Sequence, residues 1–175
     1  MAPSIQQLTV DDIDAFCHVA ATTYIQAYSG QIAETDINQF IAQQFSPDVV
    51  RNAMQVANIQ VLFVGQRLAG YYWAEPSAIP SDAHEAANPI ELLRLYLLED
   101  MRGCGFGRLM MDDCEYNAHI AGHDWLWLKV WDQNPKAIAF YNSSGFEVVG
   151  ECKFECGSLL CNDFLMLKRI PQHVA

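Results

Sequence analysis

Glu99-Asp100-Met101-Arg102-Gly103-Cys104-Gly105-Phe106-Gly107-Arg108 joins an apolar stretch to an amphipathic one through three closely spaced glycines set between two arginines. Glycine reaches backbone conformations closed to other residues, so successive N–H groups can converge on an anion at the positive N-terminus of a following helix. The loop therefore reads as a phosphate cradle, and an arginine on each side suits a pyrophosphate. Taken alone it could also be an ordinary strand-to-helix turn. The spacing narrows the choice. A dinucleotide-binding turn needs G-x-G-x-x-G, whereas the third glycine here falls at Gly107; a Walker A loop fails because Arg108-Leu109 stands where Gly-Lys-Ser/Thr is required.

On the N-terminal side of the loop, Ile90 to Leu98 is apolar except for Glu91 and Arg94 and reads as a central strand. On the other side, Phe106, Met110, Cys114, Ala118 and Ala121 line one face of a helix, Arg108, Asp112, Glu115 and His119 line the other, and Gly122 stops it. Trp125 to Trp131 alternates tryptophan with aliphatic residues, the pattern of a strand buried on both faces. Asn134-Pro135 opens a further helix, with asparagine as acceptor for orphan N–H groups and proline at the first helical position. Gly145 closes it, and Phe146 to Cys152 and Cys161 to Lys168 follow as strands.

Upstream, Ile5 begins a short strand, and Asp11-Asp12 opens a helical segment with Ile13, Phe16, Ala20, Tyr24 and Ala27 on one face and Gly30 at its end. Residues 35–45 and 47–57 read as two shorter helices, with Asp36 and Pro47 near their starts. Ile59 to Val64 and Leu68 to Ala74 form a hairpin about Gly65-Gln66-Arg67, and Glu75 to Pro89 reads as a long loop. Two strand-helix-strand units after an antiparallel hairpin imply an α/β fold, a mixed central sheet of about seven strands with helices on both faces. No repeat, low-complexity tract or linker divides residues 1–175, which read as a single domain.

Arg102-x-x-Gly105-x-Gly107 resembles motif A of the GNAT superfamily, the acetyl-CoA-dependent N-acetyltransferases, whose loop grips the pyrophosphate of coenzyme A. Asn134-Pro-Lys-Ala-Ile-Ala-Phe-Tyr141-Asn-Ser-Ser-Gly-Phe146 resembles motif B of the same superfamily, N-x-x-A-x-x-F-Y-x-x-x-G-F. Two such matches in order are far more specific than one. The motifs lie within 90–168, and the ordering of elements extends the likeness over 5–169. The longer string from Trp127 to Tyr141, followed by Phe154-x-x-Gly157 and Asn162-Asp163-Phe-Leu-Met, is similar to the bacterial spermidine/spermine acetyltransferase (PaiA-like) branch.

The resemblance implies transfer of an acetyl group from acetyl-CoA to a primary amine, through a tetrahedral oxyanion and with loss of coenzyme A thiolate. It assigns Arg102, Gly103, Cys104, Gly105, Phe106, Gly107 and Arg108 to the phosphates, and Leu95, Tyr96 and Leu97 to pairing with the pantetheine as though it were another strand. The Leu97 N–H becomes the oxyanion donor, a group of the kind worth about 3 kcal/mol in the transition state. Tyr141 protonates the departing thiolate, unless it is simply a buried structural tyrosine. Asn134 caps its helix and meets the pantetheine arm, and Lys136 opens the same helix as a third cation for the ligand.

Tyr24 and Tyr28 stand where the branch carries aromatics near its amine site; core or surface packing accounts for them equally well. In ribosomal-protein alanine acetyltransferases a glutamate ahead of the motif B asparagine acts as base, but Lys129 holds that place here. This counts against a peptide-modifying role and leaves Glu91 as the candidate base, or else as an exposed carboxylate at a strand end. The acceptor implied is a small polyamine-like amine. Acetylation of a protein or peptide N-terminus, and a non-catalytic acyl-CoA-binding sensor, are the alternatives. Cys104, inside an N–H-rich loop, is a candidate for a mixed disulfide with coenzyme A.

Ten basic against twenty-one acidic side chains give a net charge of −11, which disfavours nucleic acids and anionic membranes and draws cationic substrates. A hydrophobic content of 51% with 18% charged residues reads as globular. Met1 to Leu8 has no basic region or long apolar run, and no window reaches a membrane-spanning length, so a cytoplasmic protein is expected. The six cysteines (Cys17, Cys104, Cys114, Cys152, Cys156 and Cys161) then read as free thiols. Cys152-x3-Cys156-x4-Cys161 lacks the paired spacing and nearby histidine of a zinc site, and Gly122 separates His119 from His123, so no metal is expected. The partner expected is a small-molecule amine, with the chain a monomer or homodimer.

Overall fold

The computed structural model describes residues 2–80, 86–156 and 159–171. Its strands are β1 (Pro3–Gln7), β2 (Asn58–Val64), β3 (Arg67–Pro76), β4 (Pro89–Leu97), β5 (Trp125–Trp131), β6 (Glu147–Cys156) and β7 (Leu159–Arg169). The helices are α1 (Ile13–Tyr28), α2 (Glu34–Gln44), α3 (Pro47–Ala53), α4 (Phe106–Ile120) and α5 (Pro135–Ser143). The seven strands hydrogen-bond in the order β1-β2-β3-β4-β5-β7-β6. Parallel pairing of β4 with β5, beside antiparallel β1/β2, β5/β7 and β6/β7, makes the sheet mixed. The chain divides into two compact units, Met1–Trp73 with Arg94–Met110 and Ala74–Leu93 with Met111–Ala175, and the division passes within β3, β4 and α4.

In the first unit, α1 buries Ile13, Phe16, Val19, Ala20, Thr23 and Tyr24, a recurrence of three or four residues that sets one face inward. The Phe16 ring meets Tyr71 of β3 edge-on at 4.8 Å. The helical segment starts slightly later than Asp11-Asp12 suggests. Val10–Asp12 form a tight 3-10 turn in which Thr9 Oγ1 donates to Asp12 Oδ2 at 2.6 Å. The helix read over 47–57 stops at Ala53, where the N–H groups of Gln55 and Val56 turn back to Asn52 and Ala53 and leave Val56 exposed.

In the second unit, Leu126, Trp127 and Leu128 are fully buried, each such side chain contributing about 1.5–3 kcal/mol. The expectation that β5 is buried on both faces fails at Lys129, whose side chain is 36% exposed. Lys168 of β7 pairs with Glu115 of α4 and lies over the Phe146 ring at 6.0 Å, fastening helix to sheet. The final hairpin is longer than the apolar runs suggest, since Lys153-Phe154-Glu155-Cys156 keeps the ladder in a period-two pattern and β7 begins at Leu159. The loop read from Glu75 to Pro89 is likewise shorter, because β3 continues to Pro76 and β4 starts at Pro89.

Cys17, Cys104, Cys114 and Cys152 are free thiols. Gly157 and the side chains of Phe154, Cys156 and Cys161 lie outside the described residues. Among the described residues no helix is long and apolar enough to cross a membrane.

Candidate active site

The residues singled out in the sequence fall into both units. In the first, β4 ends at Leu97 and turns through Glu99–Met101 into the glycine loop and α4. The turn is tied down on both flanks. Arg67 of β3 grips Asp100 with two hydrogen bonds, at 2.6 and 3.2 Å, and this pairing holds the Asp100 carboxyl below its ordinary value. Gln26 of α1 accepts from the Glu99 N–H at 3.0 Å. Arg102 folds back so that Nε donates to the Leu97 carbonyl at 3.3 Å, linking the start of the loop to the strand end.

Gly103 and Gly105 have φ of +75° and +82°, the left-handed region, and a Cβ built on either meets no atom within 4 Å. The Gly105 carbonyl accepts from the Leu109 N–H at 3.1 Å, which begins the helical ladder and leaves the first N–H groups of α4 without intrahelical acceptors. Exposed Arg102 and Arg108 bracket this bend. An open, N–H-lined turn between two guanidinium groups fits a diphosphate.

The end of β4 is closely set against β3. The Leu98 N–H donates to the Ala69 carbonyl at 2.9 Å, and a Cβ on Gly70 would lie 2.5 Å from the Tyr96 carbonyl oxygen. Gly70 is thus a positioning residue that the sequence reading missed, and only its small size inside an apolar run could have signalled it.

Tyr24 and Tyr28, paired as candidates in the sequence, separate in the structure. Tyr24 is 5% exposed and stacks on Phe40 with ring centroids 4.3 Å apart, a core role. Tyr28 is half-buried, and its hydroxyl lies 3.5 Å from that of Tyr96 on β4, so these two bring polar tips together.

Arg94 is a further missed residue, although a lone arginine in an apolar strand was its signal. It is 9% exposed and enclosed by aromatic rings, 4.6 Å from Trp73, 5.1 Å from Phe45 and 5.9 Å from Phe40. Nη2 donates to Gln44 Oε1 at 2.9 Å, while Nη1 is buried with no hydrogen bond among the described residues. Such stacking, worth up to about 2 kcal/mol per desolvated contact, clamps β4 to α2.

In the second unit, Asn134 caps α5 as its sequence implies, its side chain accepting from the Ala137 N–H at 3.1 Å. Lys136 is exposed in the first turn. Tyr141 is half-buried, with its ring edge-on to Phe140 at 5.3 Å and to Phe146 at 5.7 Å. Glu91 is not an exposed strand-end carboxylate: it is 5% exposed, and Lys129 Nζ lies 3.3 Å from Oε1. The reason is the parallel register, which sets Glu91 opposite Trp127 and places Lys129 next along the same face of β5. Asp163 of β7, 9% exposed, sits opposite Trp131 on that face.

A model of the acetyltransferase (GNAT) domain matches residues 56–148, from the start of the β2–β3 hairpin through both motifs. The chain belongs to the GNAT acetyltransferase family. The fold agrees throughout its length. The crystal structure of PaiA N-acetyltransferase from Thermoplasma acidophilum in complex with coenzyme A superimposes with a TM-score of 0.79 over 97% of this chain and 99% of that one, at 24% identity. An acetyltransferase structure from Salmonella typhimurium with acetyl-CoA aligns over 100% and 98% of the two chains, with a TM-score of 0.69 and 16% identity. Among curated relatives of this GNAT protein, spermidine N(1)-acetyltransferase of Thermoplasma acidophilum is 26% identical over 85% of this chain and 90% of its own.

Proposed function

We propose that this GNAT acetyltransferase transfers the acetyl group of acetyl-CoA to a primary amine, the acceptor being a small polyamine-like molecule. The observation that carries the reading is the bend from Arg102 to Arg108, where two left-handed glycines open the first turn of α4 between two arginines. When bound, acetyl-CoA supplies the acetyl group as a thioester. The amides from Gly103 to Gly107 and the guanidinium groups of Arg102 and Arg108 hold its diphosphate. Leu95, Tyr96 and Leu97 offer a strand edge to the pantetheine, and the Leu97 N–H donates to the negative charge that develops on the acyl oxygen.

By the motif B resemblance, Asn134 and Lys136 are assigned to polar groups of acetyl-CoA and the Tyr141 hydroxyl to returning a proton to the departing sulfur. Tyr28 contributes an aromatic wall to the amine. The polyamine preference is supported by the acidic balance of −11 and by the likeness to a spermidine acetyltransferase. A thiol-release assay with acetyl-CoA and a panel of polyamines, aminoglycosides and peptides tests the reading. Turnover with spermidine-like amines is expected. Binding of acetyl-CoA without turnover of any amine would instead favour a sensor.

A further inference from the structure

The face of the second unit that carries Glu91 holds more negative charge than positive. Strand register aligns the groups: Glu91 lies opposite Trp127, Lys129 and Trp131 follow at two-residue steps along β5, and Asp163 pairs with Trp131 on one side and Cys152 of β6 on the other. Lys129 is bound directly to Glu91, with Nζ 3.3 Å from Glu91 Oε1 and 5.6 Å from the centre of the Trp127 ring. Asp163 is 9% exposed, and among the described residues its carboxylate makes no direct hydrogen bond or salt bridge, Lys129 acting on it only as a nearby charge. A largely buried carboxylate without a direct partner gains from an arriving cation or from a proton.

Resting on the proposed function, we infer that Asp163, rather than Glu91, receives the acceptor ammonium and takes its proton before transfer. In this step an N–H bond of the ammonium breaks, an O–H bond forms on Asp163, and the electron pair left on nitrogen becomes the nucleophile. Lys129, Asp132 and Cys152 neighbour Asp163 and set its behaviour. Burial raises its carboxyl, Lys129 draws it back down and Asp132 adds to the rise. Cys152 is itself raised by burial and then by Asp163, which marks the two as neighbours, with Lys129 opposing and Glu91 adding. A carboxylate raised toward neutrality is a better base than one fixed in an ion pair. Glu91 in this arrangement holds Lys129 in place.

The test is the pH dependence of kcat/KM with spermidine and acetyl-CoA for the wild-type enzyme, Asp163→Asn, Asp163→Glu and Glu91→Gln, with acetyl-CoA calorimetry on each to register folded protein. Asp163→Asn is expected to lower kcat/KM about 100-fold and to erase the acidic limb of the profile. Asp163→Glu restores that limb in part, and Glu91→Gln keeps it. Retention of the limb in Asp163→Asn, or its loss in Glu91→Gln alone, overturns the assignment while leaving the acetyltransferase reading intact. Absence of turnover by the wild-type enzyme overturns both.

Discussion

Gly70 stands so close to Tyr96 that a Cβ on it would fall 2.5 Å from the Tyr96 carbonyl oxygen and 2.6 Å from Leu97 Cδ2. The nearer atom is backbone and cannot swing aside, so Gly70→Ala must displace the end of β4, which carries the proposed oxyanion donor. A loss of about 1–3 kcal/mol is expected. Denaturant midpoints and turnover should fall together; an unchanged kcat would separate Leu97 from the chemistry.

Gly105→Ala meets no neighbour, since nothing lies within 4 Å of the new Cβ, but it keeps a φ of +82°. The expected cost is conformational, about 1–2 kcal/mol. Gly105→Asn, which tolerates this region better, should lose less. Thermal melts and the acetyl-CoA Kd measured on both variants check the order.

Tyr141→Phe keeps the ring that packs edge-on against Phe140 and Phe146. Its Tm and its acetyl-CoA Kd should therefore match the parent. If the hydroxyl supplies the leaving-group proton, kcat falls by about 100-fold. Steady-state kinetics decide, and an undiminished kcat removes Tyr141 from the mechanism.

Burial holds the Asp163 carboxyl above its ordinary value. A carboxyl whose folded value exceeds its unfolded value of about 3.9 binds its proton more tightly in the folded chain, so stability declines as pH rises from about 4 through the folded value. Asp163→Asn should then be more stable than the parent at neutral pH, with the gap closing below about pH 4. Urea midpoints at the two ends of that range measure it. A variant less stable at neutral pH would argue that the charged form is well solvated.

Cys104 is exposed in the glycine loop, whereas Cys114 is buried and its thiol is pushed far up by that burial, with Glu115 and Asp113 adding. Thiol reagents should label Cys104 first, and acetyl-CoA should protect it. Equal labelling rates, or labelling indifferent to acetyl-CoA, would place the ligand away from the loop.

The fold was readable wherever local chemistry and tertiary demand agree. Asn134 and Pro135 announce α5 because cap and first turn are properties of adjacent residues, and the glycines around Phe106 announce the bend because left-handed backbone is costly for anything else. What stayed hidden depends on partners distant in sequence. Nothing near Glu91 indicates that Lys129 will reach it across parallel strands, nothing near Tyr24 indicates that Phe40 will cover it, and Asp163 gains its meaning only from the register of β7 against β5 and β6. The early stop of α3 and the longer β6–β7 hairpin are of the same kind, since pairing and turn hydrogen bonds outweigh local apolar content there.

The most direct measurement is isothermal calorimetry of acetyl-CoA into the purified chain and into the Arg102→Ala/Arg108→Ala variant at low and moderate salt. A saturable heat in the parent is expected, weakened at least about tenfold in the variant, with a smaller salt dependence once the two guanidinium groups are gone. No heat in the parent, or the same affinity in both proteins, would contradict the assignment of the Arg102–Arg108 bend to the diphosphate.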